Sequence, residues 1–439
     1  MSKIIQRYSE KFRNSGAMYT RAAGTVAGGG HQSRIVHPHP VYVDEAQGTK
    51  KWDVDGNELI DYMMGFGALL LGHSHPAITS ALSERVNKGT HMGTISSLEF
   101  QWAELVQKLI PSAELVRFTA SGTESTLLAM RLARAFTGKT KVVKFREHFH
   151  GWHDYASPQS GINTQSGIPG ETLSTVIVVE PDLNIVENIL NTDDDIAAVI
   201  LEPTGGHWGQ FPLQNPEFLQ NLRSITSDND VLLIMDEVIC GFRISQGGAQ
   251  QRFNIDPDIT TMAKIVAGGL PGGAVAGKAG IMGIIGSDDP DLRLAHPGTY
   301  NANPVSAAAG IAMLETIISE NVNQKADDAA TLLKQGLREA LLKTEVTGHV
   351  HGIASIVHVA LGIECDCPGE LCTKSHQSLA DATSGATSQM LKLAMLNEGV
   401  DMMGGIGFIT SSAHQKEDID RTVKAFENAV QSLREDQII

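Results

Sequence analysis

Four short apolar runs between residues 140 and 238 constrain this chain more than any other feature. They are TKVVKF (140–145), STVIVVEP (174–181), IAAVILEP (196–203) and DVLLIMDEV (230–238). Each is brief, β-branched and bounded by turn residues, the pattern of a strand buried on both faces. Helical patterns lie between them, among them Ser125 to Thr137 and Pro216 to Asp228. Strands alternating with helices predict an α/β fold with a mostly parallel sheet covered on both faces. On such sheets ligands gather beyond the carboxyl ends of the strands, so functional side chains are expected there.

Asp236 follows the apolar run Val231 to Met235 and so falls at a strand's carboxyl end. Alone it reads either as an acid capping a loop or as a buried carboxylate met by a cation. Lys264 lies in TTMAKIVAGGLPGGA (260–274), among apolar and glycine residues that leave an ammonium little to pair with. Desolvation of that kind lowers a lysine pKa and frees the amine as a nucleophile, although a lone lysine in glycine-rich sequence also reads as solvent-exposed. Ser121, Gly122, Thr123 and Glu124 precede the helical STLLAMRLARAF (125–136). Unpaired N–H groups at such a start bind phosphate, and the same residues serve equally as a plain N-cap. Phe149-His150-Gly151 follows another apolar strand, where the aromatic either lies on a planar ring or fills a core. Taken together, a phosphate cradle, a stacking aromatic, a carboxylate and a nucleophilic lysine suit pyridoxal phosphate. That cofactor needs its phosphate anchored, its ring sandwiched, its pyridine nitrogen held protonated and its aldehyde joined to lysine as a Schiff base.

On these motifs the chain resembles the class III aminotransferases of pyridoxal-phosphate fold type I, in the branch that contains glutamate-1-semialdehyde 2,1-aminomutase. The resemblance runs over roughly residues 15 to 430. Its most specific block is DEVICGFRISQGGAQQRFNIDPDITTMAKIVAGGLPGGAVAGK (236–278), and SGTE (121–124), FHGWHD (149–154), LEP (201–203) and HPGTYNANP (296–304) follow the family's order. It implies an N-terminal segment (1–60) packing with a small α+β domain (326–439), and a large cofactor-binding domain (61–325). It implies a homodimer with sites at the interface. Lys264 would form the Schiff base and carry the catalytic proton, and Asp236 would pair with the pyridine nitrogen. Phe149 and Val238 would cover the two ring faces, with Ser121, Gly122, Thr123 and His150 completing the cofactor site. Glu202 would lie near the ring's substituents, and Thr299 would reach the phosphate from the partner subunit. Arg34, with Ser33 beside it in GGGHQSRIVHP (28–38), stands where this branch holds a substrate carboxylate, a task suited to a bidentate guanidinium. Arg243, in the shared GFR motif, reads as structural.

One stretch departs from the aminomutase pattern. That enzyme carries a glutamate just before a STAH-like motif, whereas GVDMMGGIGFITSSAH (399–414) contains none and is apolar. The reading is therefore an aminotransferase moving an amino group between an amino acid or amine and a keto acid, with a β-amino acid or aryl-glycine type of substrate. The alternatives are glutamate-1-semialdehyde 2,1-aminomutase and a pyridoxal-phosphate-dependent amino acid racemase.

With 50 acidic against 34 basic residues the net charge is −16, which disfavours nucleic acid and anionic membrane as partners. No apolar stretch has signal-peptide or membrane-span character, so a soluble cytoplasmic protein is expected. Cys365, Cys367 and Cys372 cluster in CDCPGELC (365–372), apart from Cys240. A zinc site would need a fourth ligand and more usual spacing, so reduced thiols in a surface loop, and no metal, are expected. YVDEAQGTKKWDVDGNELIDYM (42–63) reads as a hairpin turning at Asp55-Gly56. Ala326 to Lys343 and KEDIDRTVKAFENAVQSLRE (416–435) read as helices, and IASIVHVALGI (353–363) as strand.

Overall fold

The apolar runs are strands that lie side by side in one sheet. In a computed structural model, which describes residues 2–30, 36–158, 165–205, 217–365, 367, 370, 372, 374–382, 385–404 and 407–439, the chain divides into two units. One is Pro76–Asn321; the other joins Met1–His75 to Val322–Ile439. These divisions differ from the expected boundaries at 60/61 and 325/326. Residues 61–75 belong with the second unit because Tyr62 is buried in its core, its hydroxyl 2.8 Å from Thr422 and its ring edge-on to Phe408. Val322, only 1% exposed, opens the helix Val322–Thr344 of that same unit.

Within Pro76–Asn321 the sheet has seven strands: β1 (Leu115–Thr119), β2 (Lys141–Phe145), β3 (Val176–Val179), β4 (Ile196–Leu201), β5 (Leu232–Asp236), β6 (Ile259–Ala263) and β7 (Gly273–Gly277). Their order is β1-β7-β6-β5-β4-β2-β3. Strands β6, β5, β4, β2 and β3 pair in parallel, and β7 is antiparallel to both β1 and β6. All six residues of β4 are buried, as its unbroken apolar run requires of a central parallel strand. The sequence reading did not recognise β1, β6 or β7. Strand β7 is GAVAG, whose small residues disguise it. A Cβ at Gly273 would lie 2.5 Å from Ser125 Oγ, and one at Gly277 would lie 2.4 Å from the Asp258 carbonyl. Helix α1 (Gly122–Thr137) packs Leu128, Ala129, Leu132 and Ala133 into the core beside Ala198, Ile234 and Val275. Gly138, at φ 69°, ends it in the left-handed conformation that glycine adopts without strain.

In the second unit the expected hairpin is extended to a three-stranded meander. Val43–Gln47 pairs with Lys50–Asp53, which pairs with Glu58–Asp61, and Val400–Asp401 adds a parallel fourth strand. A separate antiparallel sheet joins Gly348–His351, Ile356–Leu361 and Gly407–Ile409. The helices Val322–Thr344 and Lys416–Glu435, with the N-terminal Lys3–Lys11, enclose a core containing Tyr8, Phe12, Leu333, Leu337 and Phe426. Among the described residues no single helix is long and apolar enough to cross a membrane. The cysteine segment departs from the expected reduced surface thiols. Cys365 and Cys367 are joined by a disulfide, Cys372 is buried, and His349 supplies the fourth donor that the sequence reading found missing.

Candidate functional site

The strand ends of the large sheet bring four of the sequence motifs together. Asp236 is the last residue of β5 and is buried. Its Oδ2 meets His150 Nδ1 at 2.7 Å. Its Oδ1 accepts from the Val238 N–H at 3.1 Å and from the Thr261 hydroxyl at 3.2 Å. Thr261 reaches it because β5 and β6 pair in register, Asp236 opposite Thr261. Glu202, just past β4 and buried, accepts from the Phe149 N–H at 2.6 Å, and its own N–H donates to His148 Nδ1 at 2.9 Å. The segment after β2 is thereby tied to the ends of both β4 and β5.

The start of α1 closes the same region. The Ser121 hydroxyl accepts from the Glu124 N–H at 3.2 Å, and the Glu124 carboxylate accepts from the Ala120 N–H at 2.9 Å. The plain N-cap is thus formed. It does not use the N–H groups of Gly122 and Thr123, which have no acceptor among the described residues and point from the positive end of the helix dipole. A Cβ at Gly122 would lie 3.0 Å from Val238 and 3.3 Å from Ala263. Gly151, at φ 96°, packs against Thr123, and a Cβ there would lie 2.7 Å from its hydroxyl. Both glycines therefore permit a close approach: the turn of α1 touches the residue before Lys264 on one side and the FHG segment on the other.

Lys264 begins immediately after β6, at φ 57°. That left-handed conformation is strained for a side chain of this kind, and such strain concentrates at functional sites. Burial lowers its amine below the ordinary lysine range, more than the charges of Asp236 and Glu202 raise it. No described residue forms a hydrogen bond or ion pair with its Nζ. A nearby buried lysine, Lys144, differs in that its Nζ donates to the carbonyls of Ala156 at 2.7 Å and Pro158 at 2.9 Å.

Other expected residues lie apart. Thr299 is exposed, its carbonyl accepts from His91 Nε2 at 2.7 Å, and it borders a cavity of about 580 Å³ whose walls include Arg117 and Asn301 but neither Lys264 nor Asp236. Arg34 and Ser33 fall outside the described residues. Sequence reasoning missed Thr261 and His148. Neither carries a signal in its own run, because each acts through a strand neighbour distant in sequence. Arg243 is fully buried, and its charge adds to the lowering of the Lys264 amine. Glu237, next to Asp236 in sequence, accepts the N–H groups of Ala249 at 2.6 Å and Gln250 at 3.2 Å, anchoring the helix Gly248–Phe253.

A model of the class III aminotransferases matches residues 31–430. The chain belongs to that family. It is 37% identical to a glutamate-1-semialdehyde 2,1-aminomutase of Sulfolobus acidocaldarius, over 97% of this chain and 100% of the relative. Among solved structures it resembles a transaminase with PLP bound, at 28% identity and a TM-score of 0.85, covering 97% of this chain and 99% of the other. It also resembles a β-phenylalanine aminotransferase from Variovorax paradoxus, at 27% identity and a TM-score of 0.84, over 98% and 97% of the two chains. This family member is a pyridoxal-phosphate enzyme of fold type I acting on small molecules. The residues present fit the cofactor: two N–H groups without an acceptor among the described residues for phosphate, an oriented carboxylate for the ring nitrogen and, for the aldehyde, an amine that no described residue pairs.

Proposed function

We propose that this enzyme moves an amino group on a small carboxylate-bearing substrate, with Lys264 holding the cofactor and transferring the proton. The observation that carries the reading is the partnerless amine of Lys264, adjoining the turn at Gly122 and acted on by Asp236. When bound, pyridoxal phosphate supplies a protonated ring that accepts the electron pair of the carbon bearing the amino group. Asp236, oriented by His150 and Thr261, keeps the proton at the ring nitrogen. Gly122 and Thr123 bind the phosphate, with Ser121 shaping the turn. Phe149 and Val238 would bracket the ring, and Glu202 would lie near its substituents. Lys264, its amine held below the ordinary lysine range by burial, would take the proton from one substrate carbon and return it to another. Arg34 and Ser33 hold the substrate carboxylate.

The enzyme acts as a cytoplasmic homodimer in which Thr299 serves the partner's phosphate site. The exposed Ile95 (84%) and Tyr300 (64%) beside the Thr299 cavity support that pairing, because large apolar side chains left in water favour a partner.

Among amino-group shifts, the relatives best support the glutamate-1-semialdehyde 2,1-aminomutase reaction, which moves the group within one molecule. A specific observation favours a second reading, transfer between two molecules. Residues 399–414 contain a single carboxylate, Asp401, and it is engaged by Lys51 and Lys392. The likeness to the β-phenylalanine aminotransferase supports the same reading, with a β-amino acid or aryl-glycine substrate. One assay separates them. Formation of 5-aminolevulinate from glutamate-1-semialdehyde without added keto acid supports the mutase. Absence of that product, with donor amines converting the cofactor to its amine form, supports the transferase. If no amine and no semialdehyde changes the cofactor spectrum, the proposal fails.

A further inference from the structure

Far from the cofactor residues in sequence, the second unit gathers three sulfurs and an imidazole at one point. His349 lies on the strand Gly348–His351, Cys365 and Cys367 follow the strand Ile356–Leu361, and Cys372 precedes the helix His376–Ala382. One donor atom from each of the four lies within 4.8 Å of all the others. Cys372 Sγ is 3.6 Å from Cys365 Sγ and 3.5 Å from Cys367 Sγ. A tetrahedral zinc ion with Zn–S bonds of about 2.3 Å sets its sulfurs about 3.8 Å apart, so these separations suit one ion.

Two further features point to a ligand. His349 is only 6% exposed, and its Nε2 is buried with no hydrogen-bond partner among the described residues. An imidazole in that state leaves a polar atom unsatisfied unless something occupies the space beside it. The Lys374 backbone N–H donates to Cys372 Sγ at 3.4 Å, the kind of contact that steadies the negative charge of a metal-bound thiolate. Apolar groups (Ala360, Leu379, Ile363 and Ala382) pack against the sulfurs on one side, while His349, Cys365 and Cys367 border a cavity of about 430 Å³ on the other.

We propose that His349, Cys365, Cys367 and Cys372 form a closed zinc site that fastens the cysteine segment to the small sheet. All four positions come from the protein, leaving none for water or substrate, which makes the site structural. Soft thiolates with one imidazole select Zn²⁺ over oxygen-seeking divalent cations. The Cys365–Cys367 disulfide is the oxidised, metal-free form of the same site. Opening it takes two electrons and two protons and yields two thiols; a phosphine reductant supplies the electrons, and water supplies the two protons and the oxygen of the phosphine oxide that results. Zinc then displaces one proton from each of the three thiols and binds the neutral imidazole.

The test uses the full chain with its cofactor, reduced anaerobically with tris(2-carboxyethyl)phosphine and titrated with Zn²⁺ against a chromophoric chelator. One equivalent should bind. Co²⁺ in its place should give a thiolate-to-metal charge-transfer band and the intense visible bands of a tetrahedral ion. C372S and H349Q should each weaken Zn²⁺ binding by at least about 100-fold while leaving the cofactor absorbance unchanged. Uptake of no stoichiometric Zn²⁺ by the reduced wild-type chain overturns the site, as does a Co²⁺ spectrum without a thiolate band. Because the wild-type titration decides the matter, a variant that fails to fold does not protect the proposal.

Discussion

Two buried lysines occupy opposite settings in this molecule. Lys392, on the helix Gly385–Asn397, ion-pairs with Asp401 and donates to the Met402 carbonyl. Asp401 also meets Lys51, which pairs with Asp61 at 2.9 Å, and Asp61 in turn meets His73 Nε2 at 2.7 Å. Lys264 has no such partner among the described residues. The nearest acid of consequence, Asp236, directs its oxygens to His150, Thr261 and Val238. Burial lowers both amines, Asp401 opposing it at Lys392 and Asp236 at Lys264. Burial is thus common to a lysine that joins strands and to one available for chemistry; satisfied hydrogen bonding separates them.

The sharpest way to break this comparison is to remove each lysine's function in turn. Lys264→Ala should reduce turnover on the order of 10³–10⁴-fold, the range of a lost acid–base group, with unfolding unchanged. Borohydride reduction should fix the cofactor to the wild type and not to the variant. If K264A retains turnover, the partnerless lysine has no catalytic role.

Asp401→Ala addresses the other side. It leaves Lys51 and Lys392 facing each other without their shared acid, and breaking a buried pair in this way costs about 3–5 kcal/mol. Urea unfolding should show that loss, and turnover per folded molecule should stay near that of wild type. A loss below about 1 kcal/mol, the worth of an exposed pair, would remove the contrast.

Asp236→Asn keeps the shape but removes the charge proposed to hold the ring nitrogen protonated. Turnover should fall about 10²-fold, at the lower end of acid–base effects, with the cofactor still bound. His150→Ala should act through Asp236. It should shift the pH profile of turnover rather than abolish turnover, and an unchanged profile would reduce His150 to packing.

The smallest effect is the acid dependence of stability. Against burial, which raises it, the charge of Lys51 and the hydrogen bonds from His73 and Lys51 hold the Asp61 carboxyl below the usual carboxylate range. Asp401 is likewise held down against burial by Lys392 and Lys51. Unfolding returns both to the ordinary value near 3.9, so at acid pH the unfolded chain binds more protons. The stabilisation is therefore fully present above about pH 5 and lost as the pH falls through the ordinary value toward the folded ones. D401N should flatten that slope in urea titrations run between neutral and acid pH.

The parallel part of the large sheet was legible because strands buried on both faces are mostly apolar, as β2 to β5 are, the exception away from their ends being Lys144 of β2, whose ammonium is met by the carbonyls of Ala156 and Pro158. Strand β7 was not, since its glycines answer to neighbours 2.4–2.5 Å from where a Cβ would stand, and no local pattern records that demand. Asp236 and Lys264 could be named from order and surroundings. The groups that hold the two acids could not: Thr261 meets Asp236 only through strand register, and His148 meets Glu202 only through a loop. The cysteine segment shows the same limit. Its three sulfurs were visible in the sequence, and the fourth donor, His349, arrives from a separate strand.

By itself the sequence determined the residue types that chemistry requires and the apolar periods that sort strands from helices. Those depend on each side chain's affinity for water and on local backbone preference. Tertiary structure alone decided which buried polar groups have partners. That is a matter of distances between residues far apart in the chain, and hydrogen bonds and ion pairs fail beyond a few ångströms. Lys264 and Lys392 are the same residue in similarly apolar runs. Pairing made one a strut; the other, without a partner among the described residues, is the one proposed to react.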